Sequence, residues 1–349
     1  MGKYRGTPSY SSYRGRTPRW KPVLAVVLVL VCLLSGAVIF MQRYLVYDES
    51  GRARLLLPWS QEPETHQEEL VVPELHIEEP VPQAPKSQRL TLLPQTPLTL
   101  EAWTTVAEQF ADQELLDSGV ITLRFQGRVY FDAASALHDT LDLREDTTQA
   151  LQTLTAAWEH PVARISCLLD PVASHIQVEA LGLKNTGGYL FYDGNNHNWL
   201  DPSKPGTVEL LSGLCVEAAD LGFQELLLTD LTFPTLGKLN KIRYPEQPRT
   251  DAITALLNAI RTALDEAGHE DVALSLELTA DALRAGGDEV AGWDLPALSE
   301  AADAFYAPCA PEDIPALTQA AQSYGETRFV PELDAPPADP AQDCFLLLP

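Results

Sequence analysis

WLDPSKPGTVELLSGLCVEAADLGFQELLLTDLTFP, residues 199–234, decides the fold of this 349-residue chain. It reads as turn, helix, strand and loop. Asp201-Pro202 and Lys204-Pro205-Gly206 carry turn chemistry, because Pro fixes φ and Gly frees it. Thr207 offers a capping hydroxyl, and Leu210, Leu211, Leu214, Val216 and Ala218 follow at helical spacing. Gly222, within Leu221-Gly222-Phe223, closes the helix by taking the left-handed conformation. Leu226-Leu227-Leu228 is a short apolar run, the composition of a strand buried on both faces. Thr229, Asp230 and Thr232 then put polar groups at its carboxyl end, where alternating α/β folds keep their chemistry.

The same alternation extends outward. Before this stretch, 90–93 reads as a strand, 98–113 as a helix with Leu100, Trp103, Val106, Ala107 and Phe110 on one face, and 119–125 as a strand continued at 127–131 after a turn. A helix at 147–159, a strand at 162–168 ending near Asp170, and a short hairpin at 188–192 follow. After it, 250–266 is a helix with Ile253, Leu256, Leu257, Ile260 and Leu264 on one face. Residues 272–278 alternate around Ser275 and Glu277; 295–302 and 312–323 read as helices; 304–307, 327–330 and 344–348 read as strands. About eight strands alternating with helices predict a (β/α)8 TIM-like barrel, trimmed toward the C-terminus where prolines 336, 337 and 340 replace a helix. An open doubly wound sheet is the alternative, although no Gly-rich phosphate fingerprint follows any strand.

Charge and composition divide the chain further. Lys and Arg number 24 against 49 Asp and Glu, a net charge of −25, which argues against nucleic acid as a partner because phosphate needs cations. Residues 1–21 run the other way, with six basic side chains (Lys3, Arg5, Arg14, Arg16, Arg19, Lys21) and no acid. Residues 22–42 are then expected to form one transmembrane helix. The uncharged run 23–41 spans about 28 Å at ~1.5 Å per residue, enough for a hydrocarbon core. The positive flank predicts a cytoplasmic N-terminus and an extracellular C-terminal domain held to the cell membrane by a single pass. A cleaved signal peptide is the rival, but no small-x-small site follows, and Arg43, Tyr44 and Tyr47 suit an interface. Residues 43–87 are Pro- and Glu-rich and predict a disordered linker, which leaves 88–349 as the globular domain. The five Cys have no C-x-x-C spacing and the seven His no metal-ligand spacing, so neither a metal nor a cofactor is predicted.

ARISCLLDP (163–171), GYLFYDGNNHNWLDPSKP (188–205) and EAADLGFQELLLTDLTFP (217–234) together resemble the bacterial putative glycoside hydrolase domain. RTDAITALLNAIRTAL (249–264), VALSLEL (272–278) and FVPELD (329–334) continue the resemblance across 88–349. It implies a TIM barrel, often membrane-tethered, of cell-envelope settings, acting on or binding polysaccharide or peptidoglycan. The sequence also departs from that family. Where the family has Asp-Tyr-Val-Arg before Phe-Pro, this chain has Thr229-Asp230-Leu231-Thr232, so the acid falls one residue late and the Arg is absent. One step along a strand turns a side chain to the other face. In place of the family's Asp-x-Lys-Asp on the second strand stand Leu123, Phe125 and Gln126. On the fifth strand the family's Asp aligns with Glu277.

Glycoside cleavage uses two carboxylates, about 5–5.5 Å apart for retention or 6.5–9.5 Å for inversion. Glu277 and Asp230, at the ends of adjacent strands, are the expected catalytic pair. Asp170, Tyr192, Trp199, Asp201 and Tyr306, in or beside strand-end loops, are the expected substrate-binding residues, with the aromatic rings stacking on sugars. Structural roles compete for each: turn-making for Asp170-Pro171 and Asp201-Pro202, a loop cap for Asp230, and an ion pair with Arg243 or Arg164 for Glu277. Three functions follow: a tethered hydrolase, a catalytically degenerate glycan binder, and a surface-assembly domain.

Overall fold

The computed structural model describes residues 118–144, 146–338 and 342–347, segments 45–47, 53–55 and 89–92, and helical positions 26, 27, 29–31, 33–35, 101, 104, 105 and 108. The chain divides into two compact units, Met1–Glu79 and Pro80–Pro349. In the first, Leu45–Tyr47 pairs antiparallel with Ala53–Leu55. The expected linker at 43–87 therefore carries this short antiparallel strand pair. Val26, Val27, Val29, Leu30, Val31, Leu33 and Leu34 are helical and expose more than half of their surface. Among the described residues no helix is long and apolar enough to cross a membrane, and the remainder of the expected span at 22–42 lies outside them.

The second unit is built on eight parallel strands: β1 (Arg89–Leu92), β2 (Ser118–Phe125), β3 (Val162–Ser166), β4 (Glu225–Thr229), β5 (Ala273–Glu277), β6 (Ala304–Pro308), β7 (Arg328–Leu333) and β8 (Cys344–Leu346). Pairing of β8 with β1, and of β1 with β2, closes the sheet, so the barrel forms and the open sheet does not. Outside it lie α1 (Thr147–Ala157), α2 (Ala173–Ile176), α3 (Pro205–Asp220), α4 (Arg249–Glu266), α5 (Ala280–Ala285), α6 (Leu295–Leu298) and α7 (Ile314–Gln322). Among the described residues no helix separates β7 from β8. All five residues of β4 are buried, as a strand covered on both faces requires. Ile253, Leu256, Leu257, Ile260 and Leu264 of α4 are buried as their spacing predicts. α3 starts differently: Pro205 opens it after Lys204, and Thr207 is buried within the first turn instead of capping it. Proline suits that position because its missing N–H would have no partner there. Gly222 ends the helix at φ +92°, as expected. Beyond β2 the chain turns through Gln126 and Gly127, at φ +46° and +82°, and Arg128–Val129 returns antiparallel on β2.

Register fixes what the barrel contains. In a (β/α)8 barrel each interior layer takes four side chains from alternate strands, and the register advances two residues for every two strands. Arg164 lies opposite Leu227 and Leu227 opposite Ser275; two residues on is Glu277. Glu277 lies opposite Tyr306 and Tyr306 opposite Val330; two on is Glu332. The same step through Phe345 and Leu90 gives Leu92, and through Val120 and Val162 returns to Arg164. Leu92, Arg164, Glu277 and Glu332 thus form one layer at the carboxyl-terminal mouth. Beneath it lie Val120, Leu227, Tyr306 and Phe345, then Leu90, Val162, Ser275 and Val330; apart from Ser275 these form one apolar cluster with Ala304.

A polar floor closes the amino-terminal end. Glu225 is fully buried and accepts hydrogen bonds from Ser275 Oγ at 2.6 Å, Tyr306 Oη at 2.7 Å and Arg328 Nη2 at 3.3 Å, with His160 Nε2 2.5 Å away. Burial alone would push the Glu225 carboxyl up; His160 and Arg328 outweigh it and hold the group below its ordinary value. The floor is structural, in keeping with the amino-terminal face of such barrels.

Candidate active site

Chemistry gathers at the mouth. Arg164 Nη2 donates to Glu277 Oε2 at 2.9 Å, and the two side chains keep 17% and 27% of their surface open. The ion pair anticipated for Glu277 therefore exists, with Arg164, and it leaves the carboxylate reachable. Glu332 shares the layer but is 5% exposed, and its buried Oε1 has no hydrogen-bond partner in the protein. Burial first, and the Glu277 charge second, push its carboxyl up to about 8, with Arg164 opposing.

Asp230 reaches the same end by an unexpected route. β4 stops at Thr229, and Asp230 takes φ +54°, in the left-handed region that Asp tolerates better than most residues. Its carboxylate accepts from Ser166 Oγ at 2.6 Å. Ser166 is two residues beyond Arg164 on β3, so it shares Arg164's face. The left-handed step offsets the one-residue shift seen in the sequence, and Asp230 stands beside the mouth. Glu277 and Asp230 are thus both tied to the inner face of β3.

The second strand supplies a cation that the sequence reading missed. A register shift between Thr122 and Arg124 bulges β2. Leu123 turns into the helix-covered core, and Arg124 is 2% exposed. The Arg124 guanidinium donates to the carbonyls of Ser166 and Cys167 and to the Asp170 carboxylate. Asp170, fully buried, also accepts from the backbone N–H groups of Val172 at 2.8 Å and Ala173 at 2.6 Å. Its carboxylate fills the space where a Cβ on Gly127 would stand. Asp170 is a structural anchor beneath the loop after β3, with no surface left for a sugar.

The remaining expected residues separate clearly. Tyr306 is fully buried in the interior with its hydroxyl on Glu225, so it offers no ring face; its place on an inward position of β6 is the reason. Trp199 is 7% exposed and spends its indole N–H on Asp193 Oδ2 at 3.0 Å. Asp201 makes a turn, accepting from Ser203 N at 3.0 Å and Ser203 Oγ at 2.6 Å. It also lines an open cleft of about 350 Å³ between the loops after β3 and β4, with Lys184, Lys204, Arg243 and Tyr244. Tyr192 is the open aromatic among them, 48% exposed, with its ring edge to the His175 ring at 6.3 Å. Tyr189 nearby is 77% exposed. Cys167, Cys215 and Cys344 are buried free thiols and Cys309 is half-buried. Among the described residues no group of three or more His, Cys, Asp and Glu side chains could hold a metal ion.

Residues 101–309, more than half of the chain, match the family described as a putative glycosyl hydrolase domain. The chain belongs to that family. No curated protein matches the sequence. Among solved structures, the glycosyl hydrolase-like domain is similar to the PgaB (BpsB) glycoside hydrolase domain from Bordetella bronchiseptica, at 14% identity and a TM-score of 0.52, over 76% of this chain and 94% of that one. It is similar also to the catalytic domain of the beta-amylase from Paenibacillus polymyxa, at 10% identity and a TM-score of 0.50, over 75% of this chain and 93% of that one. At such identities the likeness establishes the barrel and nothing finer.

Sequence reasoning missed Glu332 as well as Arg124. The signal was present in FVPELD: Glu332 is two residues beyond Val330, so an inward Val330 makes it an inward acid at the end of β7. The bulge that re-aims Arg124 left no comparable mark.

Proposed function

We propose that this protein is a membrane-anchored, extracytoplasmic glycoside hydrolase acting on envelope polysaccharide, peptidoglycan included, at the carboxyl-terminal mouth of its barrel. The observation that carries the proposal is the reachable Glu277 carboxylate beside a second, protein-enclosed carboxyl in a layer that also holds a cation. Glycosidic bonds are cleaved by paired carboxyl groups whose environments differ. In this reading Glu277, oriented by Arg164, meets the anomeric carbon. Asp230, braced by Ser166, acts beside it at the same centre. Tyr192 supplies an exposed ring at the rim for a neighbouring sugar.

Anchoring rests on the apolar stretch at 22–42, the basic residues before it, and the open surface of its described helical positions. Binding without cleavage is the second reading. It is favoured by the Arg164–Glu277 ion pair, which occupies the carboxylate that would react.

The test is incubation of the full chain with peptidoglycan and a polysaccharide panel, scoring binding and new reducing ends separately for wild type, Glu277→Gln and Asp230→Asn. A hydrolase loses reducing-end release in both variants and keeps binding. Binding with no release by wild type establishes the binder; release that survives both changes shows that other groups react.

A further inference from the structure

Cleavage needs a proton on the departing oxygen, and neither an ion-paired Glu277 nor a serine-bound Asp230 is placed to give one. We propose that Glu332 is the proton donor. The inference rests on the hydrolase reading. It starts from position: the register sets Glu332 in the layer of Arg164 and Glu277, at the end of β7 where barrel enzymes place reacting groups. Its neighbours across the ladder, Pro308 on β6 and Phe345 on β8, offer it no side-chain hydrogen bond. It is 95% enclosed, yet Oε1 has no partner. An acceptor that is buried and unpaired is costly, whereas a neutral carboxylic acid in such a place is the form an apolar site favours. Arg164, the cation of the layer, has its Nη2 on Glu277 instead.

The other titratable groups that face Glu332 do not change the picture. Glu277, on β5, repels a second negative charge; Tyr306 and Cys309, on and just past β6, are each pushed up, chiefly by burial, and stay neutral. The layer thus holds two carboxyl groups in different surroundings, Glu277 on the Arg164 guanidinium and Glu332 enclosed with one oxygen unpaired. That difference distinguishes acid from nucleophile in two-carboxylate hydrolysis. In the first step the Glu332 proton passes to the glycosidic oxygen as its bond to the anomeric carbon breaks and the Glu277 carboxylate bonds to that carbon. In the second, water attacks the carbon, the Glu277 ester bond breaks, and the water proton returns to Glu332.

Two measurements on the full chain test this. The first is an infrared titration of carboxyl C=O absorption between pH 5 and 10. One band should disappear near pH 8, be absent in Glu332→Gln, and titrate lower in Glu277→Gln, where the repelling charge is gone. The second compares phenyl with 2,4-dinitrophenyl glycosides of glucose, galactose and N-acetylglucosamine in both anomers. Removing a proton donor costs about a hundred- to ten-thousand-fold. A dinitrophenolate leaves without a proton, so the loss in Glu332→Gln should be at least about hundredfold greater for the phenyl glycoside. Equal losses for both leaving groups, or wild-type turnover with no carboxyl titrating near pH 8, overturn the donor and leave the hydrolase standing. No wild-type turnover on any glycoside, with no release from glycan, overturns both.

Discussion

Asp170 should prove a stability residue, and the size of the effect follows from its contacts. It is wholly enclosed opposite an Arg124 that is 2% exposed, and it also receives two backbone N–H groups at the entry to α2. Asp170→Asn keeps an oxygen for those N–H groups but strands the guanidinium. Removing one partner of a buried ion pair costs about 3–5 kcal/mol, because the other charge stays buried without compensation. Asp170→Ala also forfeits the two backbone bonds, and a lost capping acceptor adds about 1 kcal/mol. Domains of this kind are stable by roughly 5–15 kcal/mol, so either change should move a urea midpoint visibly while leaving a folded population at low temperature. The assay pairs that midpoint with glycan affinity measured on the folded protein. The expected result is a large fall in midpoint with affinity unchanged. An unchanged midpoint with affinity lost would refute the reasoning and restore Asp170 to the substrate site.

Other consequences concern pH and the barrel floor. The folded Glu225 carboxyl sits below its unfolded value of about 4.5, so its contribution is complete above that pH and drains away as pH falls through the folded value. Glu225→Gln should therefore flatten the acid limb of stability while lowering stability at pH 7 by about 3–5 kcal/mol, read by denaturation across pH 3–8. Glu332 has the opposite sign: its folded value, about 8, lies above the unfolded 4.5, so stability falls as pH rises between them. At about 1.4 kcal/mol per unit that loss is on the order of 5 kcal/mol, and Glu332→Gln should remove it; an unaltered alkaline slope would count against the buried acid. Tyr306→Phe deletes a donor to buried Glu225 and should cost about 1–3 kcal/mol by thermal denaturation, with no change in glycan binding.

The barrel was legible because its signals are local. Leu226-Leu227-Leu228 between two turns, and the 3.6-residue spacing along 250–266, each identify an element without its neighbours. The site was half legible for the opposite reason. Glu277 follows from alternation along one strand, but Asp230 depends on a left-handed residue that the strand pattern conceals. Arg124 depends on a bulge, which needs the partner strand to be seen. Trp199, Tyr306 and Tyr192 look alike in sequence; only packing by distant segments decides which ring stays open. The strand pair within 43–87 was passed over because that segment reads as one with the acidic, proline-rich run that follows it.

The left-handed φ of Asp230 also sets which replacements the position can explore. Asn shares the tolerance of Asp for that conformation, and Gly adopts it without strain. Glu keeps the charge but lacks the short side chain that bonds locally to the backbone, and β-branched residues are worse. In a mutational library selected for folded protein alone, and not for glycan cleavage, the ordinary ranking would therefore invert: the charge-conserving Glu would be depleted and the neutral Asn and Gly retained. Similarity of charge is a poor guide there, and backbone geometry is the better one.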